Sequence, residues 1–398
     1  MQTRAFFALP VALFLAACGT SAGTTSAPEP VSTPSGRTPL GSVAPPPSAS
    51  APAPVVAAPT AFANMVRSLS EPDGPFISDN IISNETSYLQ VAPALAKAAV
   101  PGGAYIGVGP EQNFTYIALT RPRLAFILDI RRQNMIEHLL YKAAFIEATS
   151  RAHFLALLVA RPYQAEGDPG PEASIDAVMA HAEKLAADEA TFTATHARLR
   201  AVIEKDMPLD AEDKKTLEVT HRAFFKGQLD VRFSLKASSG RRYPTLRELL
   251  DEKDPEGVKR GFLASEESFR FVQMMEREGR ILPVVGDFAG DRALSGIAAQ
   301  IVKEKLAVST FYVSNVEQYL FEPKVWPKWA RNVATLPTHD KSIFIRAYLD
   351  QGKKHPQQMK GHRTATILQR ITDFNEHQAK RAYATWWEVA SEPWSLSQ

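Results

Sequence analysis

The sequence predicts an α/β domain with a mainly parallel sheet, helices on both faces and a large helical insertion between the second and third strands. Two observations carry that expectation. Short apolar runs at residues 104–108, 124–130, 281–285, 307–313 and 342–349 alternate with helical stretches, the pattern of strands joined by helical crossovers. Between the second and third runs, residues 163–279 read as mainly helical, broken at Asp168-Pro169-Gly170-Pro171 and Asp254-Pro255. Upstream of the first strand, residues 78–99 read as one helix with Asp79 or Ser83 as its cap, stopped by Pro101-Gly102-Gly103. Residues 135–160 read as another, rich in Leu, Ala, His and Phe.

The domain is expected to span residues 61–398, behind two segments of different character. Residues 1–17 carry one positive charge at Arg4 and an apolar run from Ala5 to Ala17 interrupted by Pro10. That run is shorter than the roughly 20 residues a membrane-spanning helix needs, and it fits the core of an export signal. It ends in Leu15-Ala16-Ala17-Cys18, which resembles the lipobox of bacterial lipoproteins. In that family the cysteine is lipidated and the signal is cleaved before it. Cys18 is the only cysteine of the chain, so no intramolecular disulfide can form. Two or more acyl chains give durable anchoring, and the expected location is the cell envelope, lipid-anchored, with the domain on the periplasmic or extracellular side. Gly19 in place of an aspartate favours the outer membrane. Residues 18–60, almost entirely Ala, Pro, Ser, Thr and Gly, have little to bury and read as a disordered spacer.

The composition is that of an ordinary globular domain, 45% apolar and 22% charged, with a net charge of +2. That balance, with no basic tract, gives no argument for a nucleic-acid partner. The 9 histidines are dispersed without an H-E-x-x-H pair, so no metal site is expected. G-x-S-x-G and Walker A sequences are absent as well, which removes the commonest hydrolase and nucleotide-triphosphatase signatures.

Function is most legible around the first strand, in Gly102-Gly103-Ala104-Tyr105-Ile106-Gly107-Val108-Gly109-Pro110-Glu111-Gln112-Asn113. A strand runs into Gly-Val-Gly and then a helix, and the glycines permit a tight turn and close approach of a ligand. The second strand ends in Asp129, and 129 − 109 = 20, the spacing at which Rossmann folds place a ribose-binding acid. A dinucleotide fingerprint would want glycine at position 112, where Gln112 stands beside Glu111. A carboxylate there repels a pyrophosphate but tolerates S-adenosylmethionine, which has no phosphate and carries an ammonium and a sulfonium.

With Val284-Val285-Gly286-Asp287-Phe288 and Phe311-Tyr312-Val313-Ser314-Asn315, this region resembles the class I S-adenosylmethionine-dependent methyltransferase-like fold. Ile82-Ser83-Asn84-Glu85-Thr86-Ser87-Tyr88-Leu89 followed by Gly-Val-Gly-Pro-Glu-Gln-Asn-Phe is similar to an uncharacterised bacterial family. The resemblance covers residues 76–350. It implies that Gly107 and Gly109 line the methionine end, that Glu111 and Asn113 of the same loop also contact the cofactor, that Asp129 takes the ribose, that Asp287 lies near the adenine, and that Asn315 faces substrate. Tyr105 replaces the family's acid before the first glycine, and Glu85 is the residue that could restore its charge. The proline-aromatic substrate motif after the fourth strand is absent.

Structural roles stay open for each of these residues: a tight turn for Gly107 and Gly109, helix capping for Asp129 with Arg131 and Arg132 as partners, and capping for Asn315. Two functions are carried forward. One is a membrane-anchored methyltransferase-like domain that binds S-adenosylmethionine or a related nucleoside. The other is a non-enzymatic envelope lipoprotein that uses the same crevice for an unidentified small molecule or envelope protein.

Overall fold

The computed structural model describes residues 60–233, 242–350, 352–391 and 396. The signal, Cys18 and the spacer up to residue 59 lie outside the described residues. A six-stranded sheet organises the chain, in the order β3-β2-β1-β4-β5-β6. Its strands are β1 (Ala104–Gly107), β2 (Leu124–Asp129), β3 (Ile281–Val285), β4 (Val308–Ser314), β5 (Thr338–Leu349) and β6 (Thr364–Arg370). The first five run parallel, and β6 returns antiparallel against β5. β1 and β3 are buried along their whole length and β2 along all but its first residue, as strands covered on both faces are. Pro283 interrupts neither the pattern nor the pairing because β3 is an edge strand, where a missing N–H costs no ladder bond.

The helices before and around the first strands are α1 (Ala61–Leu69), α2 (Ala92–Ala98) and α3 (Gln112–Thr120). The insertion between β2 and β3 holds α4 (Arg132–Glu147), α5 (Arg151–Leu158), α6 (Ile175–Ala182), α7 (Glu189–Asp206), α8 (Ala211–Gly227), α9 (Leu246–Asp251) and α10 (Glu266–Arg277). Short polar residues cap five of these helices: Ser150, Ser174, Asp188, Asp210 and Ser265 each accept a hydrogen bond from an N–H of the first turn. Thr245 and Glu248 form a reciprocal capping box on α9. After β3 come α11 (Ala293–Lys303), α12 (Glu317–Leu320), α13 (Trp326–Ala334), α14 (Ile371–Lys380) and α15 (Trp386–Ser391). Parallel crossovers are right-handed, so the helices that step leftward from β1 to β3 and those that step rightward from β3 to β5 cover opposite faces.

Three expectations change in detail. Residues 70–87 form an irregular strap, and helix begins only at Tyr88–Val91, a 3-10 turn that leads into α2. The strap's backbone bonds to other elements: the Asp79 carbonyl accepts from the Arg131 guanidinium, and Ser83 donates its N–H to Glu111. The stretch 135–160 is two helices because Ser150 caps a new start at α5. β6 was not foreseen; its Thr-Ala-Thr-Ile-Leu-Gln-Arg sequence is short and mixed, and its strand state comes from pairing with β5.

Candidate functional site

The sheet's connection reverses direction between β1 and β4, and in such folds ligands bind outside the carboxyl ends of the strands at that point. A crevice of about 610 Å³ opens there, walled by the strap, the turn after β1 and the ends of β2, β3 and β4. Its size falls within the range of small-molecule sites.

The turn after β1 is built from its own residues. Gly109 takes φ +76°, a conformation glycine adopts without steric cost. Asn113 Nδ2 faces the carbonyls of Val108, Gly109 and Pro110 at 3.0, 3.0 and 2.8 Å, while its Oδ1 accepts from the Tyr105 hydroxyl at 2.9 Å. A Cβ on Gly107 would collide with Asn113 Oδ1 and with the Tyr105 ring. Gly109 therefore faces the crevice, whereas Gly107, Glu111 and Asn113 stand behind its wall as the turn's support. His138 Nε2 donates to the Gly109 carbonyl at 2.8 Å. Burial lowers its imidazole to a pKa of about 4, so the ring is neutral and Nδ1 carries a lone pair.

Asp129 reaches the crevice from the end of β2 and is held by Arg131. Oδ1 accepts from the Arg131 backbone N–H at 2.9 Å and from Nε at 3.0 Å, and Oδ2 accepts from the guanidinium at 2.8 Å. The same guanidinium donates to the Asp79 carbonyl of the strap and lies over the Phe76 ring, 5.7 Å from its centroid. Asp287, after β3, uses Oδ1 to accept from Ala289 N–H. Its own N–H donates to Glu71, whose other carboxylate oxygen accepts from Arg292 and Ala293 N–H at 2.6 Å each. The amino end of α11, a natural anion site, is thereby filled by the protein's own carboxylate.

Glu85 closes the crevice from the strap. Its carboxyl group is buried and accepts a hydrogen bond from the Ser314 hydroxyl, and the Tyr312 hydroxyl lies 3.0 Å from Oε2. Gln112 Nε2 donates to the Glu85 backbone carbonyl at 2.8 Å. Burial, offset in part by Ser314 and Tyr312, pushes the Glu85 carboxyl up to about 7. Glu111, beneath it, is also raised to about 7 by burial, with both oxygens 3.2 Å from Ser83 N–H. Ser314 adopts φ +53°, a left-handed backbone that costs a β-carbon-bearing residue roughly 1–2 kcal/mol. Asn315 follows on the crevice wall, its Oδ1 3.2 Å from Ser314 Oγ.

Of the residues expected at the site, Glu85, Gly109, Asp129, Asp287 and Asn315 meet on one crevice. Sequence reasoning missed Ser78, Tyr312 and Ser314, and it gave Arg131 only a structural place beside Asp129. Ser78 Oγ is buried on the crevice wall with no hydrogen-bond partner among the described residues. Tyr312 and Ser314 had a signal available, since strand alternation places them on the same side of β4. At the mouth the Phe76 and Tyr319 rings meet edge-to-face at 5.5 Å, with Ile77 exposed beside them.

Among the described residues no group of three or more His, Cys, Asp or Glu side chains is placed to hold a metal. None of the described helices is long and apolar enough to cross a membrane.

Sheet and crevice together define an α/β protein with a mostly parallel sheet and a single-ligand-sized cleft at its topological switch point. The chain belongs to the family described as "Domain of unknown function (DUF7790)", whose model matches residues 80–166 and 173–391. No curated protein matches it.

Proposed function

We propose that the crevice binds a small nucleoside bearing a positive charge, of the S-adenosylmethionine class, in a methyltransferase-like domain tethered to the cell envelope through lipid on Cys18. The observation that carries this reading is the acidic lining: Asp129, Asp287 and Glu322, with the carboxyl of Glu85, face the crevice against one cation among the described residues, Arg131. The anion-attracting amino end of α11 is filled internally by Glu71, and Glu111 stands at the start of α3 with its carboxyl against Ser83 N–H. A phosphate-bearing dinucleotide would meet carboxylates where it needs N–H groups. The Ser78 hydroxyl, without a hydrogen-bond partner among the described residues, supplies one further polar contact. In this reading Gly109 lets the ligand approach the backbone, Asp129 shares its remaining acceptor capacity with ribose hydroxyls, and Asp287 faces the base. S-adenosylmethionine, when bound, supplies an electrophilic methyl group.

A second reading keeps the crevice and drops methyl transfer. It is favoured by the hold of Arg131 on both oxygens of Asp129 and by the export sequence, which would separate the domain from a cytoplasmic methyl donor. Calorimetric titration of the purified chain with S-adenosylmethionine, with Asp129→Ala as control, tests the first. Saturable binding weakened by the substitution supports it. No binding removes it and leaves the non-enzymatic lipoprotein. Binding unaffected by Asp129→Ala means that the ribose assignment is wrong.

A further inference from the structure

Tyr312 carries one hydroxyl proton and stands between two acceptors, Gln112 Oε1 at 2.9 Å and Glu85 Oε2 at 3.0 Å. The orientation of the Gln112 amide is settled by its Nε2, which donates to the Glu85 carbonyl. If Glu85 were a carboxylate, one of the two oxygens facing Tyr312 would be left against another acceptor in a buried site, a contact with a substantial cost. A proton on Glu85 Oε2 satisfies every member: Glu85 donates to Tyr312, Tyr312 to Gln112, and Gln112 back to the Glu85 backbone. Ser314 meanwhile donates to Oε1.

The surroundings agree. The groups that face Glu85 are Tyr105 on β1, Glu111 and Tyr116 at and within α3, and Tyr312 and Ser314 on β4. Among the described residues no lysine, arginine or histidine acts on it. A buried carboxyl without a cation is neutral unless a positive charge is brought to it, and Glu85 lies on the crevice wall, where a ligand can bring one.

We propose that Glu85 carries the proton that this crevice exchanges for a ligand's positive charge: the acid stays neutral until a cationic head group arrives beside Ser314 and Asn315, and binding then breaks the Glu85 O–H bond and releases the proton to solvent. The inference rests on the reading of the crevice as a site for a cationic nucleoside. It adds a proton coupling at Glu85 that makes affinity for the cation rise with pH. Glu111 is itself raised, by burial first and in smaller part by the nearby Glu85, so the two carboxyls titrate as a pair that loses its protons in two steps.

Two measurements test it. Carbon NMR of glutamate carboxyl groups in the purified chain, compared between wild type and Glu85→Gln, is expected to show a titration near pH 7 that the variant lacks. Glutamine preserves the ring, since its Nε2 can donate to Tyr312. Calorimetry with S-adenosylmethionine at pH 6 in two buffers of different ionisation enthalpy is expected to show release of about one proton per site in wild type, and none in the variant. Uncharged 5′-methylthioadenosine is expected to release none from either. A Glu85 midpoint in the ordinary carboxylate range overturns the inference whatever binds. Binding of S-adenosylmethionine without proton release, or with equal release from Glu85→Gln, overturns it while the nucleoside crevice stands. Absence of any nucleoside binding overturns the crevice reading and the exchange together, and the NMR midpoint still decides where the proton resides.

Discussion

Replacing Glu317 by leucine would strand the guanidinium of Arg346 in the core. Both side chains are fully buried, and Arg346 grips the two carboxylate oxygens of Glu317 while also donating to Gln369 on β6. Trp329 Nε1 donates to the same carboxylate at 3.1 Å. Removing one partner of such a pair costs about 3–5 kcal/mol, because the other charge is left uncompensated. For a folded chain of roughly 340 residues at about 2.1 cal/mol/K per residue, a loss of about 4 kcal/mol lowers Tm by about 6 °C. Urea denaturation of wild type, Glu317→Leu, Arg346→Met and the double variant, followed by tryptophan fluorescence, provides the test. The double variant is expected to be at least about 2 kcal/mol more stable than the summed single effects, since it buries no lone charge. Glu317 also fixes α12, whose Gln318, Tyr319 and Leu320 line the crevice, so the single variant should weaken ligand binding as well. A single-variant cost below about 1 kcal/mol, or strict additivity, would refute the reasoning.

Gly107→Ala should destabilise the chain by about 2 kcal/mol or more, because the added methyl meets the side chains that brace the turn; an unchanged urea midpoint would show that Asn113 is free to move aside. His221 is buried, donates Nε2 to the Leu157 carbonyl, and has its pKa lowered by burial to about 4. The unfolded chain binds that proton first, so stability falls as pH drops from about 6.5 toward 4, and wild type should lose about 2 kcal/mol relative to His221→Gln between pH 7 and pH 5; parallel pH profiles would contradict this. Cys18→Ala should move the protein from the membrane fraction to the soluble fraction of the expressing cells, and retention in the membrane would remove the lipid anchor.

Five of the six strands were legible because each holds a short, mainly apolar stretch, continuous in β3 and broken by single polar residues in β4 and β5. The helical insertion was legible from its length, its helical character and its Pro and Gly interruptions, whereas the Ser, Thr and Asp caps that start its helices appear in the structure. The glycine turn and the acid at the end of β2 could be assigned to one crevice because parallel strands in this topology all present their carboxyl ends on the same side. The strap at residues 70–87 was not legible. Its helix-like spacing is local, whereas its conformation is set by bonds to distant partners: Glu71 to Arg292 and Ala293, Ser83 to Glu111, and Ser87 to Thr364 and Thr366.

Sequence alone therefore determined what depends on neighbours along the chain: apolar runs, turns and the spacing from Gly109 to Asp129. Tertiary structure decided what depends on residues meeting across it. Arg131 could be named beside Asp129 from sequence, but only the fold shows it forked onto that carboxylate while reaching Asp79 in the strap. Glu85, 227 and 229 residues from Tyr312 and Ser314, acquires its partners and its raised pKa only when the strap is laid over β4. Desolvation is a property of the enclosing packing, and no stretch of sequence carries it by itself.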